Sequence, residues 1–227
     1  MRVISLVPSM TETLLGWGVE PVACTRFCEH PEFVQVGGTK TPDLDAIASM
    51  EPDLVILDRE ENRREDHDAL VEAGVPVWVL HIRSPADVVE QLAPLVSELG
   101  VEWTMPQLPP ARDTALSAFV PIWRRPWMAL GSPTYGSGVL EAIGISNVCA
   151  PDPEPYPETD LGEAGRRQPD VVLAPSEPYP FAERHRGELE AVAPVVFVDG
   201  KDLLWWGVRT PAAIERLGRA LEGIRSR

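Results

Sequence analysis

The chain contains an internal duplication, which restricts the folds open to it more than any other feature. The run Pro-Asp-Leu-Val-Ile at 52–56 recurs as Pro-Asp-Val-Val-Leu at 169–173, and Pro-Val-Trp-Val at 76–79 recurs as Pro-Val-Val-Phe at 194–197. Each run is short and apolar and follows a turn signal, which is typical of a buried parallel strand. A charged segment of helical length separates the strands in both copies, so the sequence predicts two strand–helix–strand units.

The two copies continue into matching helix starts. Ser84-Pro85 and Thr210-Pro211 each place a hydroxyl residue at an N-cap position and a proline at the first helical position, where its missing N–H costs nothing. The sequence therefore predicts an α/β fold with two Rossmann-like lobes, each built on a central parallel sheet.

The boundaries of the lobes follow from the positions of the copies. We expect an N-terminal α/β lobe over 1–82, a connecting helical segment over 83–126 and a C-terminal α/β lobe over 127–227. The connector should begin as a helix over 88–99 and resume as a short helix over 111–119, after a proline-rich interruption. Two lobes joined in this way predict a ligand cleft between them, bordered by loops at the carboxyl ends of the strands.

Charge and composition exclude several classes of function. The net charge is −15 and no basic run is long enough to bind a phosphate backbone, so we expect no nucleic-acid partner. No apolar run reaches the roughly 20 residues that would predict membrane insertion. The three cysteines are too few for a disulfide framework. No Ser/His/Asp set or close pair of carboxylates is recognisable, so we expect a binding protein with no catalytic cofactor and not an enzyme. We also expect the protein to be a monomer.

The amino-terminal residues indicate where the protein resides. The run Met-Arg-Val-Ile-Ser-Leu-Val-Pro at 1–8 is too short and polar for a signal peptide and is typical of a first strand. This predicts a cytoplasmic protein for the chain as it stands, or a periplasmic or other extracytoplasmic one if a leader precedes it.

The predicted strand-end loops are rich in aromatic and polar side chains. Rigid aromatic rings in loops grip a flat or bulky ligand at low entropic cost, although a single ring equally suits packing on its own lobe. The candidate ligand-binding residues are Pro8, Ser9, Phe27, Glu60, Asn62, His81, Tyr135, Tyr156, Tyr179, Phe181, Trp205 and Trp206. Because Trp205 and Trp206 are adjacent, we expect one ring to face inward and the other outward.

Cys24, Cys28 and His30 form a sparse cluster in the sequence. The pattern lacks the second pair of ligands that would indicate a zinc site. Cys24 ends an apparent strand and suits a buried structural thiol. Cys28 and His30 lie beyond that strand and are candidates to contact the ligand or its metal.

Several motifs together resemble one known family. The runs Ser-Leu-Val-Pro-Ser-Met-Thr-Glu at 5–12, Gly-Gly-Thr-Lys-Thr-Pro-Asp-Leu at 37–44 and the Pro-Asp-Leu-Val-Ile strand resemble the helical-backbone metal receptors. These are the solute-binding proteins of ABC importers for cobalamin, haem and ferric siderophores. Thr-Arg-Phe-Cys-Glu-His-Pro at 25–31 and Glu-Pro-Tyr-Pro-Phe at 177–181 are similar to a cobalamin-binding subgroup.

The resemblance implies roles for particular residues. Phe27 and Tyr156 fall where cobalamin-binding relatives place cleft aromatics, and Tyr179, Phe181 and Trp205 or Trp206 fall on loops that line the same cleft. Relatives dock on an ABC permease through one glutamate in each lobe. The matching positions here are Arg64 and Gly162, so the neighbouring Glu65 and Glu163 are the candidate docking residues.

Three hypotheses about function follow. The first is a solute-binding protein that clamps cobalamin or another corrinoid, or else haem or a ferric siderophore, between two lobes for ABC-type uptake. The second is a cytoplasmic corrinoid or tetrapyrrole carrier, sensor or enzyme on the same scaffold. The third is a receptor for free manganese or zinc, to which only His30, His81 and Glu60 could contribute ligands.

Overall fold

The structure is a computed structural model that describes residues 1–104, 107–110, 112 and 116–225. The chain divides into two compact units. Unit 1 comprises Met1–Ile82, Ala86–Met105 and Trp206–Val208, and unit 2 comprises Arg83–Pro85, Pro106–Trp205 and Arg209–Arg227. Both units contain a parallel sheet, as the duplication predicts.

Unit 1 is built on a five-stranded parallel sheet of order β3-β2-β1-β6-β7, with a small β4-β5 hairpin beside it. The strands are β1 (Val3–Ser5), β2 (Ala23–Cys24), β3 (Val34–Gln35), β4 (Gly37–Gly38), β5 (Thr41–Pro42), β6 (Leu54–Asp58) and β7 (Val77–Leu80). The first helices of the chain are α1 (Pro8–Gly16), α2 (Leu44–Ser49), α3 (Arg64–Glu72) and α4 (Pro85–Glu98).

The centre of this sheet explains the apolar runs of the sequence. Every residue of β6 is buried, because the strand lies between β1 and β7 and its faces are covered. Val55 and Leu57 pack with Leu70 of α3 in one core cluster. A strand buried on both faces has no solvent-facing side, so its sequence is a continuous run of apolar residues.

Unit 2 repeats the arrangement in a four-stranded parallel sheet of order β11-β8-β13-β14, accompanied by an antiparallel sheet of order β12-β10-β9. The strands are β8 (Leu116–Phe119), β9 (Pro121–Trp123), β10 (Trp127–Ala129), β11 (Ile145–Asn147), β12 (Glu158–Thr159), β13 (Val171–Pro175) and β14 (Val195–Val198). The helices are α5 (Tyr135–Ala142), α6 (Leu161–Arg166), α7 (Arg186–Leu189), α8 (Gly200–Leu204) and α9 (Thr210–Arg225), with a 3-10 turn at Glu183–His185.

The repeated Pro-Asp motif has the same structural role in both units. The Asp53 carboxylate accepts a hydrogen bond from the backbone N–H of Arg2, and the Asp170 carboxylate accepts one from the backbone N–H of Ser117. In return, each aspartate donates its own backbone N–H to the carbonyl of the same partner at 2.9 Å. The aspartate therefore fixes the start of the neighbouring strand, so β8 is the counterpart of β1.

That equivalence corrects part of the expected connector. Residues 116–119 form strand β8 in the unit 2 sheet, whereas the sequence led us to expect a short helix over 111–119; residues 111 and 113–115 lie outside the described residues. The unit 2 sheet therefore starts before residue 127, and the described residues of 107–126 group with that unit rather than with a separate connector. The error arose because a β9-β10 hairpin separates β8 from the helix that follows, which hides the first strand of the second copy. The helix expected over 88–99 is present as α4.

Candidate functional site

In unit 1 the candidate residues follow strands at the centre of the sheet. The chain leaves β1 toward β2 on one side and later returns through β6 on the other. Such a reversal of strand order opens a crevice beyond the carboxyl ends of the strands, where open α/β sheets bind ligands. The segments that follow these three strands carry Ser9, Cys28 and Asn62.

Asn62 supports these loops from within. Its side-chain amide donates to the carbonyls of Leu6 at 3.1 Å and Thr39 at 3.0 Å, and its oxygen accepts the backbone N–H of Asp58 at 2.9 Å. The side chain is buried and uses both amide hydrogens on backbone groups. Asn62 therefore holds three loops in register, and its contact with a ligand stays a prediction.

Two carboxyl groups near Asn62 were missed among the candidates. Burial raises the pKa of the Asp58 carboxyl to about 6. Burial, and then the charge of Asp58, raises the pKa of Glu61 to about 7. Asp58 also accepts the backbone N–H of Glu60 at 2.8 Å, and the Glu60 carbonyl accepts a hydrogen bond from Lys40 at 2.6 Å. An acidic residue at the end of a buried apolar strand was the signal in the sequence.

The start of α1 presents polar groups that the described protein does not satisfy. Pro8 and Ser9 are buried in its first turn, and the N-cap residue Val7 has no side chain that can cap the helix. Among the described residues, no partner accepts or donates a hydrogen bond at the buried Ser9 hydroxyl. Helix N-termini favour ligand oxygens that carry negative charge, so this turn suits a carbonyl or carboxylate of a ligand.

The predicted pair of Cys28 and His30 is not brought together into a metal site. The Cys28 sulfur is buried against the hydroxyls of Thr11 and Thr25, whereas His30 lies in an ion-pair geometry with Glu32 at 2.9 Å. No group of three or more His, Cys, Asp or Glu side chains in the described part of the chain has the arrangement of a metal site. The structure therefore gives no support to the metal role suggested for these residues.

The remaining unit 1 candidates differ in exposure. Phe27 is 51% exposed, and the Arg26 guanidinium lies 5.0 Å from its ring centroid. Glu60 and His81 are half-buried. Because His81 exchanges two backbone hydrogen bonds with the side chain of Gln91, its loop is held against α4. Among the unit 1 candidates, Phe27 is thus the one with an exposed aromatic ring.

A cavity of about 520 Å³ lies beside β6 and the first turn of α3. Its lining residues are Leu57, Asp58, Arg59, Asn62, Arg63, Arg64, His67, Asp68 and Val79. Asp68 is 2.8 Å from His67 and 3.6 Å from Arg64, so part of its charge is balanced internally. The lining includes no Phe, Tyr or Trp, which a flat apolar ligand would require.

Unit 2 carries an aromatic cluster around the loop that follows β13. Tyr179 and Phe181 have ring centroids 4.7 Å apart, and both lie within 5.6 Å of the His185 ring. Phe181 also stacks on Trp127 at 6.0 Å, and Tyr179 meets the edge of Trp123 at 5.7 Å. These ring contacts tie the loop to β9 and β10.

Burial separates the aromatic candidates of the sequence into two groups. Tyr135, Phe181 and Trp206 are each 4% exposed, and the Tyr135 hydroxyl lies 2.9 Å from that of Thr210. These three rings are buried, and their contacts with a ligand stay predictions. Tyr156, Tyr179 and Trp205 are half-buried and remain candidates. Of the adjacent tryptophans, Trp206 faces inward and Trp205 is the more accessible.

Charged groups accompany the accessible rings of unit 2. Lys201 lies 4.6 Å and Arg209 5.7 Å from the ring of Trp205, which therefore has cations on its face. Trp123, absent from the candidates, is 43% exposed. It lies in β9, and the sequence did not indicate the hairpin that β9 forms with β10, so no signal marked this ring.

The two glutamates suggested for docking have different surroundings. Glu65 is exposed in the first turn of α3. Glu163 lies 2.6 Å from Arg166 and 3.4 Å from Arg167, so its charge is already shared within α6 and its cap.

Comparison with known proteins relates this arrangement to binding proteins. Residues 3–102 match the periplasmic binding protein family. A vitamin B12-binding protein of Pectobacterium carotovorum subsp. carotovorum is 24% identical over 198 residues, covering 78% of this chain and 72% of the relative. One of Vibrio parahaemolyticus is 27% identical over 195 residues, covering 76% of this chain and 70% of the relative.

Solved structures match over almost the whole chain. The periplasmic vitamin B12 binding protein BtuF of Vibrio cholerae has a TM-score of 0.80 at 18% identity, covering 100% of this chain and 98% of its own. The chain has a periplasmic binding protein fold. The heme-binding protein BhuT gives a TM-score of 0.78 at 18% identity over 99% of this chain and 98% of its own. The resemblance recognised in the motifs is therefore confirmed, and the matched family is one of solute-binding proteins.

In the described part of the chain, no helix combines the length and apolarity needed to cross a membrane.

Proposed function

We propose that this protein is a solute-binding protein for ABC-type uptake of a bulky metal-containing ligand. A corrinoid such as cobalamin is the first choice, and haem or a ferric siderophore comes next. The observation that carries the proposal is that relatives named for vitamin B12 binding align over about three quarters of the chain. Structures of B12-, haem- and siderophore-binding proteins share its fold.

The chemistry of the strand-end loops suits such a ligand. Phe27 in unit 1 and Tyr156, Tyr179 and Trp205 in unit 2 are accessible rings that can contact a flat macrocycle. The first turn of α1, with the unpaired Ser9 hydroxyl, can bind polar groups at the edge of that macrocycle. The cleft predicted between the lobes stays a prediction.

Binding without turnover is the form of the proposal that these residues favour. The ionisable groups at the end of β6 are partly satisfied by backbone N–H groups and Lys40 rather than arranged as a nucleophile with its base. A receptor for free manganese or zinc has less support, because the described residues contain no cluster of three or more suitable ligands. Docking on a permease through Glu65 and Glu163 is part of the proposal.

The test is a titration of the purified chain with cobalamin, haemin and a ferric siderophore, followed by visible absorbance and thermal melting. A ligand bound only by the folded state at 100 times its Kd stabilises that state by about 2.7 kcal/mol, so the melting temperature should rise by several degrees. Absorbance bands also report any axial coordination of the metal. The proposal fails if cobalamin, haemin and ferric siderophores all leave both the spectrum and the melting temperature unchanged.

A further inference from the structure

The cavity beside β6 and the first turn of α3 has an apolar floor. Leu57 of β6 and Val79 of β7 are neighbours in the parallel register, and both line the cavity. Leu57 is buried, whereas Val79 is 39% exposed, so part of this floor is accessible. The volume of about 520 Å³ lies within the range of about 300–1,000 Å³ that is usual for small-ligand pockets. The cavity can therefore hold more than a bare ion.

Basic side chains border that floor. Arg59 follows β6 directly, and a hydrogen bond of 3.0 Å from its backbone N–H to the carbonyl of Leu80 continues the pairing with β7. Arg63 is the N-cap residue of α3 and Arg64 its first helical residue. His67 lies one turn later, where its backbone N–H donates to the carbonyl of Arg63 at 3.3 Å. The sheet and the helix thus bring three arginines and a histidine to one cavity.

Two aspartates in the lining balance only part of this charge. Asp68 lies 2.8 Å from His67 and 3.6 Å from Arg64, so its carboxylate serves those two cations. The Asp58 carboxylate is directed at the backbone instead, where it accepts the N–H of Glu60 at 2.8 Å and that of Ile82 at 3.4 Å. Neither aspartate therefore supplies a counter-charge to the other two arginines.

Arg59 and Arg63 keep their charges available. Among the residues that the structure describes, no carboxylate lies within ion-pair distance of either guanidinium. The N-cap side chain of α3 makes no capping hydrogen bond, so the N–H groups of the first turn add to the positive potential. Glu65 and Asp66 of that turn oppose it, but neither is among the residues that line the cavity. The cavity thus presents positive charge in a chain whose net charge is −15.

We propose that this cavity is a second binding site, which takes a small organic phosphate with an aliphatic body. The phosphate group lies between Arg59, Arg63 and the first turn of α3, and the aliphatic body covers Leu57 and Val79. A phosphate has three terminal oxygens, so it can accept hydrogen bonds from two guanidinium groups and a backbone N–H together, whereas a carboxylate has two. The inference goes beyond the proposed function and does not depend on it.

A nuclear magnetic resonance titration of the native, isotope-labelled chain tests this site. The probes are butyl phosphate, glycerol phosphate, inorganic phosphate and pentanoate, added at millimolar concentrations and constant ionic strength. We expect butyl phosphate to shift the backbone signals of Arg64 and Val79 and the side-chain Nε–H signals of Arg59 and Arg63. Inorganic phosphate and glycerol phosphate should shift the arginine signals with several-fold lower affinity, because neither has an aliphatic body to cover the floor. Pentanoate should also bind more weakly than butyl phosphate.

Variants separate the two halves of the site. Arg59→Ala and Arg63→Ala should each weaken the binding of butyl phosphate about tenfold, because each removes a charge-assisted hydrogen bond. Arg219→Ala is the matched control, since Arg219 is an exposed helical arginine 3.7 Å from Glu215, and it should leave the affinity unchanged. Val79→Ser should reduce the preference for butyl phosphate over inorganic phosphate while the affinity for inorganic phosphate persists. Circular dichroism checks that each variant is folded.

The wild-type titration alone can overturn the proposal. The site is wrong if butyl phosphate leaves the signals of Arg59, Arg63 and Val79 unmoved, or moves the signal of Arg219 as far. Equal affinities for pentanoate and butyl phosphate would show that phosphate is not the recognised group. Equal affinities for glycerol phosphate and butyl phosphate would contradict the role of the aliphatic floor.

The titration is carried out without cobalamin, haemin or a siderophore. Binding of butyl phosphate at this cavity therefore stands even if none of these larger ligands binds. Conversely, binding of cobalamin or haemin by a chain that ignores butyl phosphate would leave the proposed function intact and reject this site.

Discussion

The two units build the same kind of parallel sheet but place different chemistry at the ends of its strands. Unit 1 carries the carboxyls of Asp58 and Glu61 and the thiol of Cys28. The Asp58 carboxylate accepts backbone N–H groups, and the Cys28 sulfur is buried against threonine hydroxyls. Unit 2 has at the corresponding place, after β13, a packed set of aromatic rings around Phe181. A polar strand end and an aromatic one thus arise on one repeated scaffold.

The difference shows which residues belong to the repeat and which to the site. Asp53 and Asp170 make the same reciprocal bonds in both units, because every such sheet needs the first strand aligned. The loops beyond the strands do not bear on that alignment, so they are open to different side chains. The repeated aspartates therefore serve the fold, whereas the loops are available for ligand chemistry. Substitutions can separate these two roles.

The largest expected effect is on the aromatic side of the comparison. Phe181→Ala removes a buried ring from the unit 2 core and should lower the free energy of unfolding by about 3–5 kcal/mol. Trp205→Ala, at a half-buried ring, should cost far less stability and should weaken ligand binding instead. Chemical denaturation measures the first and a ligand titration the second. If both substitutions cost equal stability, the division of the rings into core and site is wrong.

The second-largest expected effect on stability is in unit 1, at Asn62. Asn62→Ala leaves the carbonyls of Leu6 and Thr39 and the N–H of Asp58 without their side-chain partner in a buried position. We expect a loss of about 2–4 kcal/mol in the free energy of unfolding. Glu60→Ala, two residues earlier, is the matched control and should change stability by less than about 1 kcal/mol. A mild effect of Asn62→Ala would contradict the structural role of this side chain and leave only its predicted contact with a ligand.

The carboxyl groups of unit 1 predict a pH dependence with a definite sign. The folded protein keeps the protons of Asp58 and Glu61 up to pH values of about 6 and 7, whereas the unfolded chain loses them near 4. The free energy of unfolding should therefore fall as the pH rises from about 4 to about 7, by on the order of 1–3 kcal/mol from these groups.

Thermal melting at several pH values checks this, with Asp58→Asn as the comparison. The decline across this pH range should be shallower in the variant, because the asparagine does not titrate. Glu65→Gln on the exposed surface of α3 should leave the wild-type decline in place. Parallel curves for wild type and Asp58→Asn would show that the end of β6 does not hold its protons.

How far the sequence predicted these features depended on the kind of signal. Strands such as β6 and β13 were predictable, since burial on both faces forces an apolar run. Strand β8 was not, because a hairpin intervenes before the next helix and shifts the second copy out of the simple pattern. The motifs located the loops correctly but could not say which of two neighbouring residues is buried.

That limit appears most clearly in the candidate site. Phe181 and Tyr179 stand in one loop, yet only contacts from distant residues such as Trp127 place the first ring in the core. Asn62 looked like a ligand residue because its partners, Leu6 and Thr39, are remote in sequence. The surroundings of Cys28 were hidden for the same reason, since Thr11 approaches its sulfur from helix α1.

The smallest expected change in stability sharpens the comparison most directly. Phe27 is the exposed ring of the polar unit, so Phe27→Ala should change the free energy of unfolding by no more than about 0.5 kcal/mol. The affinity of this variant for the ligand identified by titration should nevertheless fall about tenfold or more. A tenfold loss corresponds to about 1.4 kcal/mol of binding free energy. Val34→Ala, at a residue of similar exposure in β3, is the matched control and should leave the affinity unchanged. An equal loss of affinity in both variants would mean that the ring has no specific role. In that case unit 1 would contribute polar groups alone, and the aromatic contact would belong entirely to unit 2.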